Sequence, residues 1–130
     1  MTRSSIVPPA RRPEVVRYGY SPGVLDGDTL YVSGQVGTDE HDRPLDDPEA
    51  QYVACFERIR EIAGMAGLEM TDVVEFVSYH TDFEHLDLFV AVKARYFTGP
   101  LFPTWTSVAV AGLAQPGAIV EVQAKAVRNR

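Results

Sequence analysis

The chain carries a single cysteine, Cys55, among 130 residues, so no disulfide can form within it. Its fold must rest on packing, and a lone thiol suits a reducing compartment, which makes the cytoplasm the expected location. Long apolar runs are missing too. Nothing approaches the roughly 20 residues of a membrane-crossing helix, and Pro8 and Pro9 interrupt the stretch where an export signal would need its hydrophobic block. No membrane partner is expected. Positive charge is in short supply, with 12 Lys and Arg against 18 Asp and Glu and a formal charge of −6. Nucleic acid would have to bind against that field and is not expected as a partner.

The familiar signatures of cofactor chemistry are also lacking. There is no GxGxxG and no GxxxxGK[ST], and His41, His80 and His85 show none of the HxH, HxxxH or HExxH spacings that gather a metal. No metal or cofactor is expected. No serine sits in the GxSxG context of a nucleophile elbow, which leaves covalent serine catalysis without support.

What remains is a chain that is 45% hydrophobic and of one-domain length, long enough to bury roughly two-thirds of its unfolded surface. Residues 1–14, with three prolines, read as an extended or loosely held N-terminal arm, and 15–130 as the domain. Val15, Val16 and Tyr18 read as a short strand running to a turn at Gly19–Gly23. Asp26-Gly27-Asp28 signals a hairpin, because an Asp-Gly pair supplies the positive φ of a two-residue loop. The next strand spans 29–36, with Leu30, Val32 and Gly34 on one face and Tyr31, Ser33 and Gln35 on the other. Asp47 as N-cap and Pro48 at the first position open a helix over 48–66, whose Tyr52, Phe56, Ile59, Ala63 and Ala66 form one stripe. A β-branched and aromatic run makes 73–80 a strand; a second helix follows at about 84–97 after Asp82, then strands at 104–111 and 118–127. The order predicts an α+β fold, one mixed sheet with two helices on one face. Its other face would show Tyr31, Ser33, Gln35, Glu121 and Gln123, a mixed surface best explained by a partner subunit.

Few side chains stand out chemically. Cys55 lies at the edge of the first long helix's apolar stripe and reads as a small core filler rather than a nucleophile. His80 with Asp82 reads either as an acid–base pair or as a surface histidine at a strand end. Glu121 is more pointed, because a carboxylate between Val120 and Val122 works against strand propensity. It is either a solvent-facing strand position or a partly desolvated carboxylate at a subunit interface, holding a water or acting as general acid or base.

Taken together, Gly19-Tyr20-Ser21-Pro22, Tyr31-Val32-Ser33-Gly34-Gln35, Asp72-Val73-Val74, Asp82-Phe83, Phe102-Pro103 and Ile119-Val120-Glu121-Val122 resemble the RidA/YjgF family, also called L-PSP endoribonucleases. The resemblance covers about 18–127. It implies a chorismate-mutase-like protomer, a homotrimer, and small-molecule clefts between subunits in which reactive imines and enamines such as 2-aminoacrylate are hydrolysed to a keto acid and ammonia. In that mechanism a glutamate positions the attacking water and an arginine holds the substrate carboxylate. Carried over, Glu121 is the water-holding, catalytic residue, and Tyr20, Ser33, Gly34, Trp105 and Ser107 bind substrate.

The arginine of the family's P-x-R-[ST] pattern is replaced here, since the stretch reads Pro103-Thr104-Trp105-Thr106. An indole has one N–H and cannot form the bidentate carboxylate contact, a loss of at least about 10- to 100-fold in carboxylate affinity. The sequence therefore suggests an arginine-lacking subgroup with doubtful 2-aminoacrylate deaminase activity. Where many relatives carry an asparagine, the nearest position holds Lys93, either a substitute cation or a solvated helix lysine. Trp105 either fills the cleft or walls it for an aromatic, apolar or cationic ligand. Two functions follow: a hydrolase acting on C=N bonds through Glu121, or a non-catalytic trimer binding a small ligand or a protein. Ribonuclease activity finds no support in the acidic balance or the unpaired histidines.

Overall fold

The computed structural model describes residues 2–129. Nine regular elements follow in the order β1 (Arg3–Ile6), α1 (Arg12–Tyr18), β2 (Gly23–Asp26), β3 (Thr29–Val36), α2 (Pro48–Met65), β4 (Val73–His80), α3 (Leu86–Lys93), β5 (Thr104–Ala109) and β6 (Val120–Val127), with short 3₁₀ turns before α1 and β4. The strands form one sheet in the order β1-β2-β3-β6-β4-β5, antiparallel except for the β4/β5 pair. The fold is α+β with a mixed sheet, as the sequence leads one to expect.

The N-terminal region departs from expectation twice. Residues 15–18 belong to a helix, not a strand. Pro13 sits in its first turn with Glu14 beside the positive end, Arg17 lies in its last turn, and Gly19 caps it at φ 69° with its N–H donating to Val15 O. Those end signals outweigh the β preference of Val15 and Val16. The supposed arm supplies β1, an edge strand paired with β2 from Arg3↔Asp26 to Ile6↔Gly23, and Ile6 packs on the core. Four residues with little apolar patterning carry no local strand signal; the open edge of β2 creates this strand.

The rest follows the sequence closely. Asp47 caps α2, its Oδ2 accepting from Ala50 N at 3.1 Å, and the helix buries Tyr52, Cys55, Phe56, Ile59, Ile62 and Ala63. The second helix is shorter than 84–97, because Asp82 caps a turn at Glu84 N and α3 begins only after His85. The hairpin loop is Gly27-Asp28, with positive φ at Gly27 alone. Both long helices pack on one sheet face, where Phe56 meets Phe76, Phe89 and Phe97 within 5.9 Å of centroid separation. Burying each such ring contributes about 1.5–3 kcal/mol.

One irregularity matters for function. Between β3 and β6 the register runs Val32↔Ala124 and then Gln35↔Val122, three residues against two, so Ser33-Gly34 form a bulge. The bulge reverses the expected alternation beyond it. Gln35, expected on the outer face, turns into the core, where its Nε2 donates to Ser33 O at 2.9 Å. The uncovered face shows Tyr31, Tyr79, Gln123 and Lys125, with Tyr79 Oη donating to Gln123 Oε1 at 2.7 Å.

Candidate active site

Glu121 lies on β6 between Val120 and Val122, which are fully buried, so alternation turns it to the uncovered face opposite the β3 bulge. The bulge brings Gly34 against it: a Cβ at residue 34 would stand 2.6 Å from Glu121 Cδ. Only a residue without a side chain lets the carboxyl lie there. The close backbone strips water from the acid, and this burial holds its pKa above the ordinary carboxylate value.

A cleft of about 490 Å³ opens beside it, lined by Ser33, Gly34, Val36 and Glu121 from the sheet, by Arg11, Glu14, Tyr18 and Tyr20 from the N-terminal segment, and by Asp42, Ala114 and Gln115 from loops. Four residues singled out by sequence, Tyr20, Ser33, Gly34 and Glu121, thus meet around one cavity. Ser33 Oγ donates to Ser21 O at 2.7 Å, which pins the loop before β2 to the bulge and leaves the hydroxyl only lone pairs to offer. Tyr20 Oη donates to Glu14 Oε2 at 3.0 Å, and the same oxygen receives Arg11 Nη1 at 3.3 Å. Burial first, and the bond to Glu14 second, push the Tyr20 phenol up to about 12. Tyr20 is a fixed donor and not a base.

Three carboxyl groups and one guanidinium line this cleft, and the guanidinium is already bonded to one of the acids. Sequence reading missed Arg11, Glu14 and Tyr18 because α1 was taken for a strand and its approach for an arm. The signal was there: proline just inside, glycine just past the end, and an acid and a base at three-residue spacing.

Trp105 and Ser107 lie elsewhere. They stand on the edge strand β5, beside Phe76 and Ser78 of β4, and therefore on the helix-covered face rather than with Glu121. Within one chain they do not line the cleft. The indole stacks beside Phe76, with ring planes 13° apart and centroids at 6.1 Å, and Lys93 Nζ stands 5.1 Å from its centre. Lys93 is thus not simply a solvated helix lysine. His80 is not a surface residue, as one reading of its strand-end position has it, but is 1% exposed, and burial lowers its pKa. Cys55 is buried, which pushes its thiol far up and leaves it inert at neutral pH.

Residues 11–128, almost the whole chain, match the family model described as Endoribonuclease L-PSP. The chain belongs to the RidA/YjgF family. Among its relatives is the RutC family protein YjgH of Escherichia coli K12, 34% identical over 113 residues that make up 86% of each chain. A solved structure of protein YJGH superposes with a TM-score of 0.88 at 31% identity, covering 100% of this chain and 99% of that one. The structure of E. coli TdcF with bound serine matches at a TM-score of 0.79 and 26% identity, over 85% of this chain and 88% of that one. The protomer accordingly has the chorismate-mutase-like fold of RidA/YjgF proteins. Among the described residues, no helix is long and apolar enough to cross a membrane.

Proposed function

We propose that the protein is a cytoplasmic RidA/YjgF homotrimer that hydrolyses a small imine or enamine in clefts between its subunits. The observation that carries this reading is the Glu121–Gly34 contact: a half-buried carboxyl, seated on a backbone bulge, facing a cavity of small-metabolite size. By the family pattern Trp105 and Ser107, on the far edge strand β5, would border the cleft of a neighbouring copy and complete it. Ionised Glu121 takes a proton from water as the water oxygen bonds to the C=N carbon and passes it to the imine nitrogen, giving a carbinolamine; it then carries the hydroxyl proton to the amino group as the C–N bond breaks, so that a carbonyl forms and ammonia leaves. Tyr20, whose one hydroxyl proton is committed to Glu14, offers the substrate its lone pairs and ring, and Arg11 keeps Glu14 oriented toward it.

Substrate preference should differ from that of arginine-bearing relatives. Serine, the ligand in the TdcF structure, carries a carboxylate. Here the arginine position is Trp105, and the cleft holds three acids to one paired cation. Lys93 brings a point charge without the fork that grips a carboxylate at two oxygens. Imines lacking an α-carboxylate fit this environment better. The test is Glu121→Gln, assayed on preformed imines with and without a carboxylate while sedimentation follows assembly. Turnover should fall by at least about 100-fold with the trimer intact; unchanged turnover would exclude the role given to Glu121.

A second reading, a non-catalytic trimer that binds a ligand or a protein, is favoured by Trp105 where the anion grip is expected. Ribonuclease chemistry lacks a paired acid and base: His80 is buried, and neither His41 nor His85 lines the cleft.

A further inference from the structure

Trp105 is the only tryptophan of the chain, and its indole is tied into the core by a polar chain that the hydrolytic reading does not use. Its Nε1–H donates to Ser78 Oγ at 2.9 Å. Ser78 Oγ in turn stands 2.8 Å from His80 Nε2. Ser78 and His80 are both on β4, two residues apart on its buried face, at 0% and 1% exposure. An indole N–H only donates, so Ser78 accepts there and its own proton needs an acceptor, which the unprotonated Nε2 of a neutral His80 provides. Aromatic contacts hold the histidine: its ring meets Phe89 edge-on at 4.9 Å, Phe83 at 5.5 Å and Tyr52 at 6.4 Å.

This arrangement fixes what Trp105 can present. Its single polar atom is consumed inside the protomer, and Phe76 and Phe89 set the tilt of the ring, with centroids at 6.1 and 5.9 Å. Lys93 Nζ stands 5.1 Å from the ring centre, so a positive charge sits beside the indole. We infer that Ser78 and His80 are positioning residues that lock Trp105 as a flat wall, and that the part of the ligand meeting this wall is a planar group, a conjugated or aromatic face, rather than one that hydrogen-bonds to the indole. The inference rests on the reading above in one respect, that Trp105 borders the cleft of a neighbouring subunit. The locking itself does not depend on catalysis.

The lone tryptophan makes both halves measurable in the assembled full-length protein. Ser78→Ala, with His80→Gln as a second variant, should shift the emission maximum and raise acrylamide quenching of Trp105, while circular dichroism and sedimentation stay unchanged. Benzamide, cyclohexanecarboxamide and benzoate are the ligand probes, titrated by Trp105 fluorescence. Benzamide should bind at least tenfold more tightly than its saturated analogue, and Ser78→Ala should erase that planar preference; any gain of benzoate over benzamide should disappear in Lys93→Gln. The inference is overturned if emission and quenching are unmoved in both folded variants, if the two amides bind equally, or if a benzoate preference survives Lys93→Gln. If the planar preference holds but wild-type protein turns over no imine, the hydrolytic reading fails and the wall stands.

Discussion

Glu121 and Trp105 occupy strands separated only by β4, yet the fold treats them in opposite ways. Around Glu121 the backbone itself makes the site: a bulge, a glycine and a half-buried acid, open to a cavity lined by three acids and one arginine. Around Trp105 side chains make it: Ser78 bonds both His80 and the indole, and four aromatic rings, Phe76, Phe89, Phe83 and Tyr52, hold the set in place. In the first region none of the described residues hydrogen-bonds the Glu121 carboxyl, which faces the open cavity and is free to meet a ligand. The second spends the one polar atom of the indole on Ser78 and therefore serves as shape. A site that must discriminate and also do chemistry needs both kinds of surface.

The largest effect that would break this contrast is expected from Gly34→Ala. A methyl at 2.6 Å from Glu121 Cδ must push the carboxyl or the bulge aside, lowering turnover by about 100-fold and stability by about 1–3 kcal/mol, read by kinetics and urea unfolding. Ser78→Ala comes next. It strands the indole N–H and His80 in the core and should cost about 1–3 kcal/mol, whereas Ser33→Ala, losing one part-buried bond to Ser21 O, should cost about 0.5–1.5 kcal/mol.

The two regions should also tilt the pH–stability profile in opposite directions. His80, buried among Tyr52, Phe83 and Phe89 with Asp82 the nearby charge, has a folded pKa below 6.5, so the unfolded chain takes up its proton first and stability falls as pH drops below 6.5. Glu121 has a folded pKa above 4.5, so the folded state holds its proton longer and stability falls as pH rises from 4.5 through the folded value. Thermal unfolding against pH should lose the first slope in His80→Gln and the second in Glu121→Gln. The smallest effect is expected from Tyr20→Phe, which removes one exposed bond to Glu14 and should change kcat less than about tenfold.

The fold was legible wherever pattern and end signals agreed: β3, β4 and the start of α2 fall where alternation, β-branching and the Asp47-Pro48 cap put them. It was illegible where tertiary pairing decides, as in β1, or where helix ends override local preference, as in α1. At the site, Tyr20, Ser33, Gly34 and Glu121 came from the family pattern, but the reason for Gly34 is a bulge that no period-2 reading contains. The Ser78–His80–Trp105 chain was invisible for another reason: Ser78 and Trp105 become neighbours only through the parallel β4/β5 register.

On the proposed function, Trp105 and the acids around Glu121 stand in place of a carboxylate grip. The direct measurement is the rate at which wild-type protein accelerates 2-aminoacrylate hydrolysis over buffer, beside an imine of similar size lacking the carboxylate. Little or no acceleration of the first and clear acceleration of the second is the predicted result; strong acceleration of 2-aminoacrylate hydrolysis would contradict it and show that Lys93 or another donor still holds the anion.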